Sequence, residues 1–147
     1  MCLYGADASE VEELFRESWA MNAKKPRVLD VGQCDFDHGN ISRMLSTDFG
    51  ADVVRAGTGE EAFQAVREGR FDLVLINRVF DADGASGLDL IRRLQSHDET
   101  KTTPLALVSN YSDAQDAAVA LGAKRGFGKD ALTRSETRDA LESLLGQ

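Results

Sequence analysis

Two cysteines, Cys2 and Cys34, are all the chain has. They are too few and too unpatterned for a disulfide scaffold or a zinc site. The only histidines, His38 and His97, form no pair with a nucleophile and no metal cluster, so an enzyme is not expected and neither a cofactor nor a catalytic residue is assigned. No stretch approaches the roughly 18 apolar residues of a membrane span. The opening "MCLYGADASEVEELF" lacks the basic region and apolar core of a secretory signal, and no apolar segment precedes Cys2 as it would in a processed lipoprotein. Positive charge is short as well: 17 Lys and Arg face 25 Asp and Glu, a formal charge of −8. Such a surface repels a phosphate backbone. The longest basic cluster, "KKPR" from Lys24 to Arg27, reads as a linker. Neither nucleic acid nor membrane is an expected partner, and the cytoplasm is the default location.

What is present suits one compact domain: 147 residues, 42% of them hydrophobic, enough for a real core. Residues 1–25 read as an amphipathic helix and linker, and 26–147 as the domain. Ser9 and Glu12 form a capping box. Val11, Phe15 and Trp19 then recur every four residues with Leu14 alongside, one apolar stripe. That stripe packs on its own domain or serves a dimer or partner. From Pro26 onward, strand and helix alternate five times. The strands are "RVLDV", "ADVVRA", "FDLVLIN", "PLALVSN" and "KRGFG". The helices are "ISRMLSTDF", "GEEAFQAVREG", "LDLIRRLQS", "DAQDAAVALG" and "RSETRDALESLLG". Short connections and nearly all-apolar strands predict an α/β fold: a five-stranded parallel sheet, doubly wound, with an extra N-terminal helix. Sites in such sheets form at the carboxyl ends of strands. Those ends carry Gly32 and Gln33, then Asn77, Ser109 and Lys129.

From about Arg27 to Leu145 the chain resembles the receiver domain of two-component response regulators. The likeness rests on the five-fold alternation and on "GEEAFQAVREGRFDLVLIN", "SGLDLIRRLQ", "PLALVSN" and "LGAKRGFGK". It implies the flavodoxin-like receiver fold and a signalling role. It also implies a pocket in which three acids hold Mg²⁺ and the last accepts a phosphoryl group. Here Gly32 and Gln33 stand at the paired acids' positions and Asn77 at the acceptor's. Mg²⁺ is usually held by carboxylates, and an amide nitrogen is a very poor nucleophile. The resemblance therefore implies a degenerate, pseudo-receiver pocket with no metal site. Ser109 matches the switch hydroxyl and Lys129 the family's lysine. That lysine is expected to turn outward or to find a carboxylate in the loop after Asn77. Gly126 stands at the switch aromatic's position, with Phe127 pointing the other way. "RVFDADGASG" is about two residues longer than the family's loop.

Several acids remain as alternatives. Asp30, unusual in an apolar strand, is a buried acid with a raised pKa, a residue of a strand near the sheet edge, or a structural partner of Lys129 or Arg27. Asp30, Asp35 and Asp81 are candidates for substitute phosphorylation. Asp37 either replaces a metal ligand or caps the following helix. "DADG", Asp81 to Gly84, starts like a calcium loop, but Arg92 stands where that loop needs glutamate, so a solvated turn is the plainer reading. Cys34 reads as a small semi-buried residue. The expected function is a stand-alone atypical response regulator acting by protein–protein interaction without phosphorylation. Because the sequence ends at Gln147, just after the last helix, output is expected to pass through a signalling partner. The expected surface for that partner, or for a homodimer, is the last strand and last two helices. The alternatives are a receiver phosphorylated at a substitute aspartate, and an emptied pocket that binds a small anionic ligand through Lys129 and backbone N–H groups.

Overall fold

The computed structural model describes residues 25–146. The stripe of Val11, Phe15 and Trp19 lies outside the described residues. Five strands follow in order: β1 Arg27–Val31, β2 Asp52–Ala56, β3 Leu73–Asn77, β4 Leu105–Val108 and β5 Lys124–Phe127. Between and after them run α1 Asp35–Phe49, α2 Gly59–Glu68, α3 Gly87–Gln95, α4 Ser112–Ala120 and α5 Ser135–Leu145. A 3₁₀ turn at Lys129–Ala131 separates β5 from α5. Every pairing is parallel and the strand order is β2-β1-β3-β4-β5. The winding reverses between β1 and β3, so a crevice opens at their carboxyl ends.

Side-chain alternation along the strands divides the core in two. Leu29, Val31, Val74, Ile76, Leu105 and Leu107 face α2, α3 and α4. Val28, Leu73, Leu75, Ala106 and Val108 face α1 and α5 through Ile41, Leu45, Phe49 and Leu141. Asp30 shares the parity of Val28 and so points beneath α1. Strand β1 lies between β2 and β3, not at an edge.

Helix α1 begins six residues before the apolar pattern that starts at Ile41. Its first turns are polar and carry no periodicity. Cys34 is its N-cap, and the thiol accepts the Asp37 N–H at 3.5 Å. Helix α2 starts with a capping box: Thr58 Oγ1 accepts the Glu61 N–H at 3.2 Å, and Glu61 Oε1 accepts the Thr58 N–H at 3.1 Å. No helix among the described residues is long and apolar enough to cross a membrane.

Candidate functional site

The tip of β3 delivers Asn77 to the crevice, almost fully buried. Its Nδ2 donates to the Gly32 carbonyl at 3.0 Å and to the Val79 carbonyl at 2.7 Å. Both neighbours accept only, so the nitrogen, not the oxygen, must face them. The amide thus ties β3 to the tip of β1 and to its own following loop.

That loop closes on itself. Phe80 N–H donates to Ala85 O at 2.9 Å and Gly84 N–H to Phe80 O at 2.8 Å. Asp83 Oδ1 accepts the Ala85 N–H at 3.0 Å, so "DADG" is a turn stabilised by its own aspartate. The closure turns Phe80 inward, where it is 2% exposed and joins the main core. Its ring lies over Gly32, whose φ is 79°. A Cβ at Gly32 would overlap that ring. Phe80 therefore occupies the space that a side chain at position 32 would need. An aromatic residue in an acidic loop is the one sign of this plug that the sequence carries.

The remaining site residues find partners that sequence reasoning placed elsewhere. Lys129 Nζ pairs with Asp37 Oδ2 at 2.8 Å. It neither turns outward nor meets the loop after Asn77, because the first turn of α1 brings Asp37 to it. Asp37 is accordingly not the helix cap. Asp30 meets neither Lys129 nor Arg27; its Oδ2 shares a hydrogen bond with His38 Nδ1 at 2.7 Å. Asp35 is exposed and pairs with Arg55 at 2.7 Å, and Asp81 is exposed on the loop. The three candidate substitute acids do not converge. Among the described residues no three His, Cys, Asp or Glu side chains gather as a metal site. Gln33 is buried and neither of its amide atoms has a hydrogen-bond partner, nor does Asp30 Oδ1. The Mg²⁺ of the family's pocket does not fit this donor set: Gly32 brings no ligand, Phe80 occupies the space a side chain there would need, and Asn77 turns its N–H groups to two carbonyls.

Burial pushes the Asp30 carboxyl up from 3.8 to about 6, against the opposing hydrogen bond and charge of His38 and weaker help from Gln33 and Arg55. The Gln33 amide is close enough to act on Asp30 but does not meet hydrogen-bond geometry. A raised carboxyl favours folding in its protonated form. Its contribution is full below pH 3.8 and is lost as pH rises through about 6. The loss is on the order of 2–3 kcal/mol. Asp30→Asn should remove it, so urea melts from pH about 4 to about 7 should show a flatter stability profile than wild type. Parallel profiles for the two proteins would contradict the assignment.

Ser109, at the tip of β4, is buried, and its Oγ accepts the Tyr111 N–H at 3.1 Å. Behind it lies a residue the sequence did not flag. Gln115, on the inner face of α4, donates to Leu107 O at 2.9 Å and Ser109 O at 3.1 Å, and accepts the Gly126 N–H at 2.9 Å. One buried amide thus joins α4, β4 and β5. The only signal was a glutamine spaced three residues before the inward Ala118. At Gly126 a Cβ would overlap the Leu107 carbonyl, so no aromatic side chain fits there. Phe127 turns into the second core, as its parity requires. Gln115→Leu should cost about 2 kcal/mol, since it strands two carbonyls and one N–H. Chemical denaturation checks this; a neutral substitution would show that the amide is replaceable.

The family model of the response regulator receiver domain matches residues 38–144. The match starts inside α1, so Gly32 and Gln33 lie outside it. The Transcriptional regulatory protein ZraR of Escherichia coli (strain K12) is 33% identical over 88 residues, 59% of this chain. The match spans only 19% of that protein. Among solved structures, a putative response regulator from Chloroflexus aurantiacus J-10-fl has a TM-score of 0.73 at 24% identity, covering 84% of this chain and 99% of that one. The receiver domain of sensor histidine kinase PA1611 from Pseudomonas aeruginosa PAO1, with a magnesium ion coordinated in its active site cleft, has a TM-score of 0.69 at 16% identity over the same shares. At these identities the structures speak to the fold.

Proposed function

The chain belongs to the response regulator receiver domain family, and from that premise we propose that it is an atypical, pseudo-receiver signalling module that binds a protein partner without being phosphorylated at Asn77. The observation that carries this reading is the Asn77 amide, whose nitrogen is committed to the carbonyls of Gly32 and Val79. A carboxylate acceptor would attack phosphorus through oxygen; an amide nitrogen does not. Phosphoryl transfer is driven mainly by positioning and by cations that neutralise developing charge. Here Phe80 occupies the space that a ligating side chain at position 32 would need, and Lys129 is paired with Asp37.

Output in this reading comes from the surface of β5, α4 and α5, as in the sequence expectation, with the cytoplasm as the place of action. A homodimer would use the same face or the N-terminal stripe. The small residues Ala114, Ala117 and Ala120 permit close approach of a partner helix. The test is affinity capture on the intact chain, with and without a small phosphodonor and Mg²⁺. The same partner should be retained equally in both. Capture that appears only after phosphodonor treatment would overturn the proposal and favour a substitute aspartate.

A further inference from the structure

Two cavities meet at the tips of β3 and β4. The inner one, about 180 Å³, is lined by Asn77, Arg78, Ser109, Tyr111 and Lys129 among others. The outer one, about 670 Å³, runs along α4 past Leu88, Ala114 and Ala117. Arg78, Val79 and Tyr111 form walls of both. The inner volume is below the roughly 300–1,000 Å³ of ligand pockets and suits a head group, whereas the outer volume lies within that range.

We propose that this joined crevice binds a small amphiphilic anion: one carboxylate or phosphate head on a flat apolar body. The inference goes beyond the partner-binding reading and does not depend on it. Charge selects the head. Arg78 makes no ion pair among the described residues; its guanidinium lies 5.1 Å from the centre of the Tyr111 ring. Lys129 is largely neutralised by Asp37. The inner cavity thus offers about one net positive charge, together with the Ser109 hydroxyl, whose proton is free to donate because its oxygen accepts from Tyr111. Apolar surface selects the body. Four large hydrophobic residues are exposed in the described chain, Phe36, Val79, Tyr111 and Val119, and two of them stand on this crevice. Val79 is 44% and Tyr111 59% exposed, surface that a flat ring would cover. Asp113, on the outer wall, disfavours a second negative charge on the body. Binding is non-covalent, and no bond forms or breaks.

Phenyl phosphate and inorganic phosphate are the probes, titrated calorimetrically into the intact chain, with the intact mass recorded afterwards. Phenyl phosphate should bind about tenfold tighter than inorganic phosphate, because its ring covers apolar wall. Arg78→Gln should weaken both probes, and Tyr111→Ala should remove only the preference for the ring. Both residues are exposed, so both variants should fold. No binding of either probe at millimolar concentration, equal affinities, or an unaffected Arg78→Gln would overturn the inference while leaving the partner-binding reading intact. A covalent mass increase would overturn both.

Discussion

Asn77→Asp should destabilise the domain by about 3–5 kcal/mol at neutral pH, the range found when one partner of a buried polar pair is lost and a charge is stranded. The wild-type amide donates to two carbonyls, at 3.0 and 2.7 Å. A carboxylate would point an oxygen at both and donate to neither. Protonation would recover one donor, so the loss should shrink as pH falls. Urea denaturation at neutral and mildly acidic pH checks the sign and the trend. A variant as stable as wild type at neutral pH would mean that the strand tip reorganises to accept a carboxylate, and that the pocket is nearer to a functional acceptor site than the amide's bonds imply.

Gly32→Ala should also be costly, about 2–5 kcal/mol. Two effects add. At a φ of 79°, a non-glycine residue pays about 1–2 kcal/mol. A Cβ would also overlap the Phe80 ring, and overpacking costs roughly 1–3 kcal/mol. The second term should vanish when the ring is removed. In a double-mutant cycle, Gly32→Ala should be about 1–3 kcal/mol milder in a Phe80→Ala background than in wild type. Strict additivity would show that the ring and the glycine are not in conflict. The same contact predicts that an aspartate at position 32 fits only once Phe80 is replaced.

The sheet was legible in the sequence because its strands are short, nearly all-apolar runs bounded by glycine and polar residues. "FDLVLIN" places Asn77 at a strand tip with no further information, and "PLALVSN" does the same for Ser109. The parity of β5 was enough to turn Phe127 inward. What could not be read are contacts between elements far apart in the chain. Asp37 and Lys129 are separated by most of the domain, and only the packing of α1 against the end of β5 brings them to 2.8 Å. Asp30 and His38 are eight residues apart, but their contact needs α1 to start at Asp35, in a stretch with no apolar periodicity to announce it. Phe80 sits among aspartates and a glycine, where composition says solvent; the loop's own hydrogen bonds turn it into the core. Gln115 hides in a helix of small residues, and its three bonds depend on where β4 and β5 lie.

The most direct test of a pocket closed to phosphotransfer is the intact mass of the wild-type chain after incubation with acetyl phosphate and Mg²⁺. The expected result is an unchanged mass, with Phe80→Ala equally unlabelled because Asn77 still lacks a nucleophilic carboxylate oxygen. A near-stoichiometric, hydroxylamine-labile phosphoryl adduct on the wild-type chain would contradict it and would place the acceptor on one of the remaining aspartates.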